Sequence, residues 1–368
     1  MTDKSSKYSK NYKLSITNPK IFEALKLAIS ILIGLALTFV ILCFVSKDPF
    51  NAFITILTGP LKKTRYIGSV IESFIPYAFA GLAAGVLFKS GAFNLGAEGI
   101  FIISGVAIAA VAVADITSSF ILHPFICILV GALVGGVLMC IPSLLKAKFN
   151  TNEMVVSLML NSIYSAVSVY IVRTYMRDVG SLIATKEYAA SARIGYLYEP
   201  LRINICLVIL LICMVILSVM LKKTRLGYQI RLVGTNPQFS EYSGINSFKL
   251  SITTALISGI LCGIGAACHL LSQTAQYQPD KTLSGIGFSG MLLAMLGHNN
   301  PIGIVIASFF IKYLEEGTKV LYFVDTSVPS EIVSIVEGVI ILLISSQYFL
   351  RGFRERKLLK EGLEKDGK

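Results

Sequence analysis

Residues Gly91 to Gly99 read Gly-Ala-Phe-Asn-Leu-Gly-Ala-Glu-Gly and sit between two apolar stretches, 73–88 and 100–114. Within nine residues they place the amide of Asn94, the carboxylate of Glu98 and glycines at 91, 96 and 99. Polar side chains and irregular backbone are costly near lipid and persist only where protein or a wet cavity surrounds them. The chemistry on offer is hydrogen bonding to a passing polar solute. This segment is the first candidate for whatever the protein conducts.

No catalytic constellation accompanies it. His123, His269 and His298 lack partners at metal-ligand spacing, and no His-Glu-x-x-His occurs. No Gly-x-x-x-x-Gly-Lys-[Ser/Thr] phosphate loop occurs either, so ATP is not expected to bind this chain in that way. Energy must then come from another subunit or an ion gradient. The seven cysteines all fall in apolar runs, with no Cys-x-x-Cys pair, and read as packing residues.

The elements that position these residues follow from composition. The chain is 54% hydrophobic and 15% charged, against roughly 25% charged in soluble domains. Uncharged runs such as 27–46, 116–145, 154–172 and 203–221 meet or approach the roughly 20 residues that span a bilayer. An all-α polytopic membrane protein is expected. A β-barrel would alternate in short segments instead. Ten spans are placed at 24–46, 70–88, 97–114, 122–142, 153–174, 203–221, 250–271, 284–298, 302–322 and 331–350. The eighth is short and Gly-rich, and is either a spanning helix or a re-entrant one. The first is too long for a signal-peptide core and reads as a retained anchor.

The net charge of +12 is topological, because the basic residues gather at span ends. With both termini cytosolic, 21 of the 33 Lys and Arg fall inside. The expected divisions are a cytosolic tail at 1–23, a membrane domain at 24–350 containing the cytosolic loop 222–249, and a charged tail at 351–368. Outside lie 46–69, with a short interfacial helix, and 175–202, expected to pack over the outer mouth.

The loop after the sixth span, Gly234-Thr-Asn-Pro-Gln-Phe-Ser-Glu-Tyr-Ser-Gly244-Ile-Asn246, writes a short helix with both ends marked. Asn236 is a good N-cap, Pro237 suits the first helical position, and Gly244 can take the left-handed conformation that stops the helix. Phe239 and Tyr242, three apart, share a face. Two turns cannot hold themselves together in water. They dock either on a partner or on their own membrane domain.

The other polar residues leave alternatives. Glu98 either lines the pathway or caps the third span, where a carboxylate favours the helix N-terminus. Asn152 and Glu153 read as caps of the fifth span. Asn161, two turns deeper, bonds a neighbouring helix or touches substrate. Glu337 reads as a helix–helix contact. Glu315 and Glu316 are expected to pair with Lys312 or Lys319 on a solvated or interfacial face. A faint echo links Gly81-Leu-Ala-Ala-Gly85 in the second span to Gly259-Ile-Leu-Cys-Gly-Ile-Gly265 in the seventh. Each precedes a Gly-interrupted segment, and the two spans run oppositely, which suits an inverted repeat.

Four ordered stretches carry a resemblance over nearly the whole chain. They are Phe93–Gly99, Thr151–Asn161, Gly234–Asn246 and Gly287–Pro301. Together they resemble ABC-importer permeases of the branched-chain amino acid and simple-sugar class, most closely the nucleoside branch linked to basic membrane lipoproteins. His298-Asn-Asn departs from the Arg or Lys common before Asn-Asn-Pro. The resemblance implies a non-catalytic permease in the plasma membrane, with no cofactor of its own. Its implied partners are a second related permease, an ATPase with two nucleotide-binding domains that binds the ATP, and a substrate-binding lipoprotein. It implies that Gly234, Asn236, Pro237, Phe239, Glu241, Tyr242 and Gly244 form the coupling helix region, with Ser240 and Ser243 in reach of the ATPase. The candidate pathway residues are Phe93, Asn94, Glu98, Asn161, Phe288 and Ser289. The rival readings are a sugar or branched-chain amino acid permease of this class, a proton-coupled carrier using Glu98 or Glu153, and a membrane enzyme.

Overall fold

The computed structural model describes residues 48–178, 183–279 and 285–324, with a few positions between 36 and 44 and at 180. The expected spans 24–46 and 331–350, Glu337 and both tails lie wholly or largely outside the described residues. The chain divides into two compact units, Met1–Leu57 with Thr318–Lys368, and Thr58–Gly317. In the first, Phe39 meets Phe53 edge to face at 5.5 Å. Helix α1 (Pro49–Lys62) falls where a short interfacial helix is expected.

The second unit is mostly helical. Its order is α2 (Thr64–Lys89), α3 (Ala97–Val113), α4 (Leu122–Phe149), α5 (Glu153–Ile171, continued by a π turn to Met176), α6 (Ile205–Lys223), α7 (Arg225–Thr235), α8 (Pro237–Tyr242), α9 (Ser247–Gln273), α10 (Ile286–Leu296) and α11 (Pro301–Val324). Five of these (α2, α4, α5, α6 and α9) are long and apolar enough to cross a membrane. Several outrun the apolar run that announced them. Helix α4 continues through Lys146 and Lys148 and stops at Asn150, whose φ of 53° closes it in the left-handed conformation. Helices end where backbone hydrogen bonds end, whereas hydropathy ends where lipid does.

Helices α2 and α9 form the interior. Helix α9 crosses α4 through two small-residue pairs, Gly131 and Gly135 against Gly259 and Gly263. A Cβ on Gly263 would lie 2.0 Å from the Gly131 carbonyl oxygen. Between membrane helices, where lipid offers as good an apolar surface as protein, such close backbone approach supplies the association energy.

One end of the unit carries the 224–246 loop. At the far end, residues 183–204 fold over the helix ends, with strands β1 (Tyr196–Tyr198) and β2 (Ile203–Asn204) paired antiparallel. This layer is tied down at several points. Tyr188 N donates to Ala275 O, Ala189 N to Ala112 O and Ile194 N to Leu271 O. Glu72 of α2 accepts from Tyr196 Oη and Arg202 Nη1, both at 3.0 Å. Burial and the Glu72 carboxylate push the Tyr196 phenol up from its ordinary pKa.

Residues 274–278, beyond α9, are not helical. Tyr277 Oη donates to Ile102 O of α3 at 2.6 Å, and Gly285 N donates to the Glu98 carboxylate. There α10 begins. Its 11 residues rise about 16 Å, roughly half a bilayer core. The eighth expected span is therefore a half-helix that starts inside the bundle and runs with α2 towards the loop end.

Helix α11 corrects another expectation. Lys312 and Glu315 do pair, yet Lys312 is 3% exposed rather than solvated. Its ammonium also sits 3.2 Å from the centroid of the Tyr77 ring on α2. A carboxylate one turn away and a ring face together compensate a buried cation.

Candidate functional site

Residues 91–96 form a non-helical turn between α2 and α3, and polar side chains of α5 hold both the turn and the start of α3. Asn94 Nδ2 donates to Glu153 Oε1 at 3.3 Å, and Asn94 Oδ1 accepts from Gly96 N at 2.7 Å. Leu95 N donates to Ser157 Oγ at 3.0 Å. Asn161 closes the clamp: its Oδ1 accepts from Gly99 N at 3.0 Å, and its Nδ2 donates to Leu95 O at 2.9 Å. Orphan backbone groups at a helix start inside a membrane need such partners.

Glu153 is not a cap. Asn152 does that work, accepting from Met154 N and Val155 N. The Glu153 side chain, 3% exposed, turns inward to accept from Ser143 Oγ at 2.8 Å and Lys146 Nζ at 3.1 Å as well as from Asn94. Three donors on α4 and the 91–96 turn converge on this one carboxylate. It knits α4 and α5 to the segment.

Glu98 lies at the helix start, where one of its two readings puts it. It stands in the first turn of α3, and its Oε1 accepts from Gly285 N at 3.1 Å, the N-cap residue of α10. The two Gly-interrupted segments therefore meet inside the bundle, with two helix N-termini beside one carboxylate, where the macrodipoles favour negative charge. Phe93 is exposed and packs at 5.0 Å on Phe88. Phe288 is half-exposed on the first turn of α10, and Ser289 is partly buried there. Thus Asn94, Glu98 and Asn161 are brought together with the α10 start, while Phe93 and Phe288 offer open rings.

The partners Ser143, Lys146, Ser157 and Tyr277 were not legible beforehand. A lone serine in an apolar run has no signal of its own. The run Thr274, Gln276, Gln278 is too polar for a lipid-facing segment, and that is the available clue to the non-helical stretch 274–278.

At the loop end the structure gives two helices where one was expected. Thr224 caps α7 by accepting from Gly227 N, and Asn236 caps α8 by accepting from Phe239 N at 3.0 Å. Pro237 opens α8, Tyr242 ends it, and Gly244 follows with φ of 77°. Tyr242 is 93% exposed and Phe239 54%, on a helix too short to stand alone. Glu241 is exposed beside them. Ser240 is fully buried, with its Oγ on Pro237 O, so it faces the membrane domain and not a partner; Ser243 is exposed. A cleft of about 530 Å³ opens here, lined among others by Gly91, Lys146, Asn150, Gly234, Pro237 and Glu241. His298, the one departure from the expected motif, takes φ of 51° with Asn299 at 55° in the turn from α10 to α11.

Comparison with known proteins follows the same lines. Residues 66–345 match the family model described as branched-chain amino acid transport system / permease component. The chain is 31% identical to the guanosine ABC transporter permease protein NupP of Bacillus subtilis, over 91% of this chain and 96% of that one. It is 27% identical to the nucleoside ABC transporter permease protein NupB of Lactococcus lactis, over 90% and 93%. It is 26% identical to a glucose ABC transporter permease of Haloferax volcanii, over 88% and 87%. Apolar spanning helices, a polar interrupted centre and a match over most of the length agree, and the chain belongs to the multi-pass permease family of the branched-chain amino acid transport system type.

Proposed function

We propose that this chain is the membrane-spanning subunit of an ATP-driven importer of nucleosides. The observation that carries the reading is the pair of interrupted segments meeting at Glu98 and Gly285, below a coupling-type helix that presents Phe239 and Tyr242. The relatives with guanosine and nucleoside in their names support the substrate. Amides, hydroxyls and aromatic rings, without a dense ring of charge, suit an uncharged polar solute. Glu98, Asn94, Asn161, Phe93, Phe288 and Ser289 line or frame the route. The haloarchaeal relative favours a second reading, a sugar permease of the same build.

In this reading the 224–246 loop and both termini are cytosolic, and the membrane domain occupies 24–350. ATP is bound and hydrolysed by a partner ATPase that docks on α8. A second permease completes the channel, and a binding protein delivers substrate at the far end, so the pathway itself need bind only weakly.

The complex reconstituted in liposomes tests this. Labelled nucleoside should accumulate only with ATP hydrolysis, and the chain alone should hydrolyse none. Uptake driven by a proton gradient without ATP would overturn the reading. A cysteine at Ser243 should crosslink to the ATPase while one at the buried Ser240 should not. Labelling of Ser243→Cys from outside intact cells would reverse the orientation.

A further inference from the structure

Helix α7 is held at both ends by backbone packing that no side chain could enter. At its start, a Cβ on Gly227 would lie 2.1 Å from Met220 O of α6. At its end, a Cβ on Gly234 would lie 2.1 Å from Lys89 O and 3.2 Å from Gly91 N. Between them, the fully buried Ile230 packs with Leu221 of α6 and Leu250 of α9. Immediately beyond, Asn236 starts α8. Helix α7 is thus a short stiff bar, and its end rests on the first residue of the candidate pathway segment.

The segment beyond Gly91 has little slack to absorb a push. Ala92 N is tied to Leu87 O, Asn94 to Glu153, Leu95 to Ser157, Asn161 to Gly99 and Glu98 to Gly285. A displacement at Gly91 therefore passes to α5 and to the start of α10. The cleft flanked by Pro237 and Glu241 on one side and Lys146 and Asn150 on the other gives α8 room to swing. Packed elements with two discrete arrangements carry coupling of this kind.

We propose that the Gly234–Gly91 backbone seam is the point where motion of α8 enters the substrate pathway, making Gly91 and Gly234 positioning residues for transport. The proposal rests on the importer reading above and deepens it. The seam needs glycine at 234 because any Cβ there meets backbone, which cannot rotate away as a side chain can.

The test uses the full importer in liposomes, with ATP hydrolysed and nucleoside accumulated measured on the same vesicles. Gly234→Ala should raise the ATP consumed per nucleoside about tenfold, within the usual range of coupling between sites, while hydrolysis itself stays near the parent rate. Because that variant can misfold, a second inserts two glycines between Thr235 and Asn236. It leaves the seam packed but slackens its link to α8, and should raise the ratio similarly. A Phe93→Cys reporter should change its labelling rate with nucleotide state in the parent background and lose that response in the insertion variant. An unchanged ratio and a surviving response in the insertion variant would overturn the seam. A parent that hydrolyses ATP but takes up no nucleoside overturns the substrate reading instead, and the labelling comparison still decides the seam.

Discussion

The two interrupted segments do the same job by different means. The Gly91–Gly99 turn is fastened by side chains: Asn94, Glu153, Ser157 and Asn161 each complete a hydrogen bond to it or within it. The start of α10 is fastened by close packing and by one carboxylate. A Cβ on Gly290 would meet Ala80 Cβ at 2.8 Å, one on Gly287 would meet Glu98 N at 2.9 Å, and Gly285 N donates to Glu98. A polar clamp fixes geometry through directed bonds whose loss leaves unpaired groups in a low-dielectric interior. A glycine seam fixes it through volume, and yields to added atoms rather than lost ones. The first should tolerate enlargement poorly and charge changes worse; the second should be indifferent to charge nearby and intolerant of a methyl.

Substitutions at four positions sharpen that contrast. Glu153→Ala should have the largest effect, because it strands the buried Asn94 and Ser143, while Lys146 is exposed enough to turn to water. A cost of about 3 kcal/mol is expected for breaking a buried, hydrogen-bonded pair. A fall in detergent melting temperature and in complex yield would register it, and an unchanged yield would show the clamp to be unimportant. Gly290→Ala should come next, at about 2 kcal/mol for overpacking α10 on α2. Its signature is a lower melting temperature with no charge change, and equal stability to the parent would refute the volume argument.

Asn161→Ala should cost about 1–2 kcal/mol, since two bonds to the turn are lost. Asn161→Asp keeps the acceptor for Gly99 N and should recover part of the stability, which a thermal shift series on both variants would reveal. Glu98→Gln should be smallest in stability, within about 0.5 kcal/mol, because an oxygen still accepts from Gly285 N. Here uptake is the informative quantity. It should fall while assembly holds if the charge serves the pathway, and parallel losses would make Glu98 purely structural.

Much of this was readable before any coordinates. Asn236, Pro237 and Gly244 marked α8 because capping is local: an Asn side chain reaches only its own next residues. The interrupted turn announced itself because an amide, a carboxylate and glycines are conspicuous between apolar runs. Glu153 misled for the same reason. Beside Asn152 at a helix start it has the local signature of a cap, and only the approach of Asn94, Ser143 and Lys146 gives it another role. The pairing of Lys312 with Glu315 one turn away is legible from local spacing, whereas the Tyr77 ring that also receives Lys312 comes from a distant helix and replaces the expected solvated or interfacial face.

The sequence by itself determined the class of molecule, the membrane as its solvent, the approximate positions of most described helices and the capped helix α8. Those follow from composition, from runs of apolar residues and from interactions spanning a few positions. The tertiary structure alone decided that α10 is a half-helix beginning inside the bundle, that Glu98 faces Gly285, and that Gly234 rests on Gly91. Such facts depend on which segments approach in space. That is set by packing of the whole bundle, and a backbone-to-backbone approach leaves nothing in the sequence but a glycine, which by itself does not say what it touches.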